Sequence, residues 1–432
     1  MTGRTAIYNA RLIDPASGRD ERGGVIIEGP VILEAGAGVT RSSPADLKID
    51  ARGKALAPGL IDLRVKTGEP GAEHKETLQT ASDAAAAGGV TTFVVMPDTD
   101  PVIDTVALVD FIKRRADGVA KVKVHPAGGL TLGLQGQRMS EIGLIHEAGA
   151  VFFSNGDRPV EDAGVLRRAM SYAASFDALV ASRPDTPALS AGSVMNAGAF
   201  AARLGLRGSP PEAEWIALER DLMLAETTGV RLLADCISTA RSLEALERAR
   251  RAGVKAACSV ASYSLFFNEL DIGDYLTYCK VQPPFRSERD RQALIAGLRD
   301  GLINAVVSAH DPQPTEDKRL PIADAAYGAV GLETLLPCLL SIAVREDIPL
   351  AQALKPVTSG PADLLGLPQG RLAKGAPADL VLFDPAAPWA CERDDLSSRS
   401  KNSPFDGRRL EGRVLRTWVD GVSVFERGQE RD

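Results

Sequence analysis

The sequence predicts an α/β protein with a (β/α)8 barrel of the TIM type and a small β-sandwich domain formed by both ends of the chain. Eight short apolar runs typical of strands lie between residues 56 and 369, and amphipathic helical stretches follow most of them. The flanking segments carry strand patterns without helices. A length of 432 residues is ample for such a barrel, which needs about 250 residues. We therefore expect the barrel at 56–369 and the β domain at 1–55 plus 370–432.

Short strands separated by Gly and Pro characterise the two chain ends. The predicted strands of this domain are Thr5–Ala10, Gly24–Glu28, Val31–Ala35, Ala378–Phe383, Val414–Val419 and Val422–Glu426. Residues 386–408 contain Pro, Ser and charged residues without periodicity, so a surface loop is expected there.

The barrel region alternates between apolar runs and Ala/Leu/Arg-rich helical stretches. The predicted barrel strands are Ile61–Val65, Thr91–Met96, Val122–His125, Ala150–Phe153, Ala178–Ala181, Arg231–Ala234, Lys255–Ser259 and Asn304–Ser308. The predicted helices include Lys75–Ala87, Val160–Ala174, Glu212–Thr227, Ala240–Ala252, Glu288–Arg299 and Ala325–Val344.

Composition excludes several classes of protein. A formal net charge of −7 argues against a broad nucleic-acid surface, which needs clustered Lys and Arg. Five scattered cysteines without a CxxC pair indicate free thiols in a reducing compartment. The N-terminus lacks a long apolar region and no stretch is long enough to span a bilayer, so we expect a cytoplasmic protein without membrane contact.

Reactive groups of a parallel barrel lie at the C-terminal ends of its strands. The first strand leads through Asp-Leu-Arg-Val-Lys-Thr-Gly-Glu-Pro-Gly (62–71), and the second leads into Met-Pro-Asp-Thr-Asp-Pro (96–101). These segments resemble the dihydroorotase family of the amidohydrolase superfamily. That family carries Asp-x-His-x-His-x-Arg-Glu-Pro-Gly and Met-Pro-Asn-Thr-x-Pro, with two histidines on the metal and the Arg and Asn on the substrate.

The residues that bind metal and substrate in both family motifs are replaced in this chain. Arg64 and Lys66 stand where the resemblance places the two histidines, Gly68 where it places the substrate arginine, and Asp98 where it places the asparagine. Imidazole donates a lone pair to a metal, whereas guanidinium and ammonium are cationic and repel it. We therefore expect the family's zinc site to be lost and no cofactor to be needed.

The later strand ends repeat this pattern. Asn155 falls near the family's bridging aspartate, and Ser182 and Cys236 near two histidine ligands. Ala309 stands for the catalytic aspartate, and His310 alone persists. We assign no catalytic and no metal-binding residue. The expected vestigial pocket consists of Arg64, Lys66, Asp98, His125, Asn155, Ser182, Asp235, Cys236, Gln282, His310 and Asp311.

Charge balance suggests how this pocket is filled. An unpaired buried charge is costly, so Arg64 or Lys66 is expected to pair with Asp98, Asp235 or Asp311. A metal site improvised from His310, Asp311, Asp235 and Cys236 stays open as an alternative, because all four are expected at neighbouring strand ends.

The resemblance implies three functions. The first is a pseudoenzyme, a non-catalytic dihydroorotase homologue that supports pyrimidine biosynthesis by associating with aspartate transcarbamoylase, as a homodimer or in a mixed oligomer. The second is an active cyclic-amide hydrolase with a rearranged site. The third is a sensor in which Arg64, Lys66 and Arg286 hold an anionic pyrimidine intermediate.

Overall fold

The computed structural model describes residues 3–428. Its strands are β1 (Arg4–Asp14), β2 (Arg19–Glu28), β3 (Val31–Gly36), β4 (Leu47–Asp50), β5 (Ala55–Pro58), β6 (Leu60–Val65), β7 (Val90–Val95), β8 (Lys123–Pro126), β9 (Gly128–Gly129), β10 (Phe153–Ser154), β11 (Leu179–Ser182), β12 (Met195–Asn196), β13 (Gly208–Ser209), β14 (Arg231–Ala234), β15 (Ala256–Ala261), β16 (Ala305–Val307), β17 (Leu380–Ala390), β18 (Arg409–Val419) and β19 (Val422–Glu426).

The helices lie mostly between the barrel strands. They are α1 (Leu78–Ala87), α2 (Val106–Val119), α3 (Ile142–Glu147), α4 (Ala163–Ala174), α5 (Pro187–Ser190), α6 (Ala199–Leu204), α7 (Glu212–Thr228), α8 (Ala240–Arg251), α9 (Ser262–Phe266), α10 (Glu288–Arg299), α11 (Thr315–Lys318), α12 (Leu335–Arg345), α13 (Leu350–Leu354) and α14 (Ser359–Leu365).

Parallel strands form the barrel that the sequence predicts, and the α/β fold class is confirmed. β6, β7 and β8 pair in order, and β9, β10, β11, β14, β15 and β16 pair in order. The ring closes where Val65 bridges His310, with the Lys66 N–H donating to the His310 carbonyl at 2.9 Å. Strands β6, β7 and β16 consist entirely of buried residues, as expected when both faces of a parallel strand are covered.

Three regions of the barrel differ from the sequence-based expectation. The helix expected at Ala325–Val344 begins only at Leu335. The fourth barrel strand was expected at Ala150–Phe153 but begins at Phe153, because the Ala150 N–H bonds the Ile145 carbonyl at the end of α3. Residues 187–209, which carried no prediction, fold into two short helices and the parallel pair β12–β13. Gly208 permits this pairing, since a Cβ there would lie 2.3 Å from the Ala197 Cα.

The β domain is one sheet that combines both ends of the chain. Its order is β19-β18-β17-β5-β1-β2-β3, and β4 pairs with β1. Antiparallel pairing of β17 with β5 joins the C-terminal strands to the N-terminal ones. The boundaries expected from the sequence, 1–55 and 370–432, stay a prediction, and residues 1–2 and 429–432 of them lie outside the described residues.

The prediction of a surface loop at residues 386–408 is wrong for most of that segment. β17 extends to Ala390, and residues 396–405 pack against the loops after the first and eighth barrel strands. We call residues 396–405 the strap. Asn402 shows why it is held down: its Nδ2 donates to the carbonyls of Asp311 (3.1 Å) and Gly328 (3.0 Å), and its Oδ1 accepts from the Gln313 N–H (3.0 Å).

The described chain has no helix both long and apolar enough to cross a membrane. All five cysteines are buried and free. The sequence-based expectation of free thiols is therefore confirmed.

Candidate active site

Alternation along the first barrel strand positions the two cations. Asp62, Arg64 and Lys66 follow one another at every second residue, and side chains two residues apart on a strand share a face. Arg64 is only 4% exposed. A buried guanidinium requires partners, which the neighbouring strand ends provide.

Arg64 bridges two carboxylates. Its Nη2 lies 2.5 Å from Asp157 Oδ1, and its Nη1 donates to Asp235 Oδ2. Asp235 also accepts from the Ser259 hydroxyl at 2.7 Å. The guanidinium thus links the ends of the first, fourth and sixth barrel strands.

Lys66 contacts three carboxylates. Its Nζ lies 3.0 Å from Asp98 Oδ2 and 3.1 Å from Asp311 Oδ2, and it donates to Asp157 Oδ2. Arg183 adds a third cation, with Nη1 at 3.2 Å from Asp157 Oδ1. We call these side chains together the strand-end cluster: Arg64, Lys66, Asp98, Asp157, Arg183, Asp235 and Asp311.

Burial and charge act against each other in this cluster. Burial lowers the pKa of Arg64 and Lys66, but the adjacent carboxylates outweigh it and hold both well above their usual values. For Asp157, burial opposes ionisation, yet Lys66 and Arg64 lower its pKa. Burial raises the pKa of Asp311, which Lys66 only partly offsets. The cluster has one more carboxylate than it has cations. Of its two carboxylates with a shifted pKa, Asp311 is the one that takes up a proton more readily.

The structure brings together Arg64, Lys66, Asp98, Asp235 and Asp311 as ion pairs, as expected from charge balance. Gln282 joins them indirectly, because its Oε1 accepts from Arg183 Nη1 at 3.3 Å.

Sequence reasoning missed Asp157 and Arg183. Asp157 lies two residues after Asn155, the residue that the resemblance places near the family's bridging aspartate. Gly156 turns the chain between them with φ +60°, a left-handed conformation that favours glycine. The sequence did contain a signal: an Asn-Gly turn, which can move the carboxylate two positions further along the chain.

Three predicted pocket residues face elsewhere. Asn155 Oδ1 accepts from the Thr131 N–H at 3.1 Å and hydroxyl at 2.9 Å, so it secures the loop after the third strand. The Ser182 hydroxyl donates to Asp221 on α7 at 2.6 Å. His125 is influenced by cations outside the cluster: burial, then Lys123 and Lys113, lower its pKa.

His310 stands apart from the carboxylates of the strand-end cluster, whereas Cys236 directly follows Asp235. The His310 Nδ1 accepts from the Gly331 N–H at 3.2 Å, and its Nε2 lies 3.5 Å from Glu76 Oε2 in a fully buried contact. Burial and Asp235 raise the pKa of the Cys236 thiol. The improvised metal site of His310, Asp311, Asp235 and Cys236 is therefore not assembled.

Known proteins resemble this chain over nearly its whole length. Residues 53–242 match the family described as Dihydro-orotase-like, and residues 322–425 match the Amidohydrolase family. A dihydroorotase of Anaplasma phagocytophilum is 39% identical over 425 residues, which is 97% of this chain and 95% of the relative. One of Pelobacter propionicus is 38% identical over 422 residues, covering 98% and 99%.

Solved structures agree on the fold. The L-hydantoinase (dihydropyrimidinase) of Arthrobacter aurescens superposes with a TM-score of 0.89 at 27% sequence identity, covering 99% of this chain and 97% of that chain. The dihydropyrimidinase of Brevibacillus agri, at 21% identity and TM-score 0.85, supports the fold alone.

These findings overturn two sequence-based expectations. A non-catalytic pseudoenzyme is contradicted, because full-length relatives are named as dihydroorotases and a close structural neighbour as a hydantoinase, which points to an active hydrolase. The expectation of no cofactor is contradicted as well, because the family that these relatives indicate points to zinc.

The donor set of this chain does not fit the family's metal pair. Within residues 3–428 no group of three or more His, Cys, Asp or Glu side chains could hold a metal ion. Arg64 and Lys66 occupy the centre of the strand ends, and each carboxylate there already binds one of these cations. The chemistry that the residues themselves offer is that of carboxylates and cations.

The L-hydantoinase superposes on 99% of this chain, so the barrel and the β domain belong to a fold common to both proteins. Identity near 38% over almost all residues, together with the fold, decides the relationship: the chain belongs to the dihydroorotase family.

Proposed function

We propose that the chain acts on a cyclic amide of the dihydroorotate class, opening or closing its ring in the cavity over the strand-end cluster. The observation that carries this proposal is the placement of Lys66 beside three carboxylates at the strand ends, where barrel enzymes hold their reactive groups. Arg64, Lys66, Asp157 and Asp311 line this cavity.

Asp311 is the general base in this proposal. Burial raises the pKa of Asp311 towards neutral pH, where a carboxylate is most effective as a general base. Lys66 stabilises the ionised form that accepts the proton. Gln313 Nε2 donates to Asp311 Oδ1 at 2.8 Å and orients the carboxylate. In ring opening, Asp311 removes a proton from water as the oxygen attacks the amide carbon, and it returns that proton to the departing ring nitrogen.

The cations stabilise the negative charge that develops on the amide oxygen. Lys66 and Arg64 lie in a site of low exposure, where fixed charges act more strongly than in water. Both already hold carboxylates, so substrate must displace part of one ion pair. Asp98 is the partner suited to release, because within residues 3–428 its one ion pair is with Lys66, at 3.0 Å.

The test is ring opening of dihydroorotate followed by loss of its ultraviolet absorbance, with and without a chelator. We expect Asp311→Asn and Lys66→Met to lower the rate at least 100-fold, a loss typical of removing a general base or an electrostatic group. Lys113→Met is the matched control, since Lys113 donates to the Ala148 carbonyl far from the cluster. Wild-type protein that opens no ring under either condition would contradict the proposal.

Binding without turnover is the second candidate function. It is favoured by the saturation of the cluster, in which Arg64, Lys66 and Arg183 are all ion-paired. Calorimetry with dihydroorotate and carbamoyl aspartate separates the two functions. Heat of binding together with unchanged ligand after prolonged incubation would favour the sensor.

Association with aspartate transcarbamoylase, and formation of a homodimer or mixed oligomer, stay proposals. They rest on the family resemblance alone. Sedimentation velocity of this chain mixed with the same organism's transcarbamoylase at micromolar concentration is the direct measurement. Unchanged sedimentation of both proteins would rule against this partner.

A further inference from the structure

A second cavity adjoins the strand-end cluster on the side of the fifth to seventh strand ends. It is a small cavity that opens to solvent, and its lining includes Arg183, Ser209, Gln282 and Arg286. The segment 187–209, unforeseen from the sequence, supplies part of its wall. Two arginines in this cavity are each less than one-tenth exposed. Because a buried guanidinium needs partners for its charge, the groups that each arginine binds must be identified.

Within the described part of the chain, Arg183 donates hydrogen bonds through one of its nitrogens. Nη1 donates to the Asp157 carbonyl (3.1 Å), to Asp157 Oδ1 (3.2 Å) and to Gln282 Oε1 (3.3 Å). Nε and Nη2 have no hydrogen-bond partner among the residues that the structure describes. These two nitrogens form one edge of the guanidinium, and their parallel N–H bonds match the two oxygens of a carboxylate.

Arg286 is fixed more firmly. Its Nε donates to the Ser238 hydroxyl at 2.9 Å, and its Nη1 donates to Asn196 Oδ1 at 3.1 Å and the Ser209 carbonyl at 2.9 Å. Nη2 lies 3.8 Å from Glu214 Oε2, beyond hydrogen-bond length. Burial lowers the pKa of Arg286, so its charge is incompletely neutralised.

The carboxylates that line the cavity have other donors. Glu214 accepts from the Ser238 N–H (2.9 Å), the Thr239 N–H (3.0 Å) and the Ser242 hydroxyl (2.6 Å). Asp185 accepts from the Ser190 hydroxyl at 2.8 Å. Neither holds the free edge of Arg183, so that edge is available to a ligand.

We infer that this cavity binds the carboxylate of the ligand, with the Nε–Nη2 edge of Arg183 gripping both oxygens and Nη2 of Arg286 adding a third donor. The inference rests on the proposed function and adds to it the residues that select a ligand with a carboxylate. Gly68 stands where the resemblance places the substrate arginine, so the positive charge for this group comes from another strand end. Arg183 joins the two cavities through Asp157, which places the carboxylate beside the reacting ring.

Calorimetry with two ligands that differ in one group tests the inference. Dihydroorotate and dihydrouracil share a ring, and only the first has a carboxylate. We expect the wild-type chain to bind dihydroorotate at least tenfold more tightly, and Arg183→Met to bind both ligands within a factor of three. Arg183→Lys keeps a cation for Asp157 but lacks the paired edge, so it also loses most of the preference.

Arg248→Met is the control, because Arg248 is exposed and pairs with Glu219 on the barrel surface. It should keep the wild-type preference, and thermal unfolding of each variant verifies that the fold persists. An Arg183→Met chain that still prefers dihydroorotate tenfold, or a wild-type chain that binds neither ligand, would overturn the inference.

The outcomes for this inference and for the proposed reaction are separable. A carboxylate preference that Arg183→Met abolishes, in a protein that opens no ring, upholds the inference and contradicts the reaction. Ring opening of both ligands at equal rates and with equal affinity upholds the reaction and overturns the inference.

Discussion

Arg64 occupies the inner face of a barrel strand, where a cation survives only with partners. Asp157 and Asp235 hold its two terminal nitrogens, and Lys66 shares Asp157. Each of these charges would be costly alone, so the substitutions at 64 and 66 are stable only together with the carboxylates around them. At the residue scale the strand-end cluster behaves as one unit.

Asp157 is the residue whose loss should show this coupling. Asp157→Asn leaves Arg64, Lys66 and Arg183 each without one carboxylate, and removing one partner of a buried pair costs on the order of 3 kcal/mol. Urea unfolding should show that decrease in the free energy of unfolding. The exposed pair Arg11–Asp20 supplies the control, since Asp20→Asn should cost less than about 1 kcal/mol. Equal small effects would contradict coupling.

Asp62 should make stability depend on pH. Burial raises its pKa from 3.8 to about 6, against hydrogen bonds from Ser308 and the Arg64 N–H. The folded state then binds a proton that the unfolded chain has lost, so this contribution is complete below about pH 4 and vanishes as the pH rises through 6. Relative to Asp62→Asn, the wild type should lose on the order of 2 to 3 kcal/mol between pH 4 and pH 7. A difference that is constant with pH in denaturant titrations would rule this out.

The strap is the element that organises the loops of the first and eighth strands. Ser398 donates to Glu76, and the Val330 N–H donates to the Asn402 carbonyl at 3.0 Å. Glu76 in turn faces His310, so the histidine shared with the family contacts the strap region and not the cluster. The strap therefore secures the loop that carries Asp311.

Loss of the Asn402 side chain should loosen that loop. Asn402→Ala leaves the Gln313 N–H and the carbonyls of Asp311 and Gly328 without partners, at a cost of about 2 kcal/mol. Hydrogen exchange should quicken at residues 311–313 and 328–330. Ser397→Ala, at an exposed strap position, is the control and should leave exchange unchanged. Faster exchange spread over the whole barrel would indicate general destabilisation instead.

The whole molecule depends on a sheet made from both chain ends. β17 pairs with β5, and β5 pairs with β1, so the C-terminal strands cover one edge of the N-terminal ones. Lys123 Nζ fastens this sheet to the third barrel strand through Asp379 at 2.8 Å. Barrel and β domain are therefore expected to unfold together.

A chain that ends at Ala378 tests this dependence. It lacks β17–β19 and buried Trp418, which exposes apolar residues such as Leu56 and leaves β5 as an open edge. We expect most of the shortened protein to be aggregated in the soluble-fraction assay. A chain that ends at Gly428 retains every described strand and should stay as soluble as the full chain. A soluble, folded barrel from the shorter chain would show that the sheet is dispensable.

The sequence by itself determined the barrel with most of its strands and long helices, the strands at both chain ends and the cations at 64 and 66, because periodicity and motif spacing are local properties. It did not show the short strands β4, β5, β9, β12 and β13. It did not reveal Asp157, Arg183 or the strap, since their partners lie 26 to 325 residues away along the chain. Nor could spacing show that His310 faces Glu76 instead of Asp235, because side-chain direction at a strand end depends on the packed neighbours. The altered residues at the strand ends predicted a pseudoenzyme. The full-length relatives, which are named as dihydroorotases, overturned that prediction. Tertiary structure decided which charges meet, because ion pairs form by proximity in space and not along the chain.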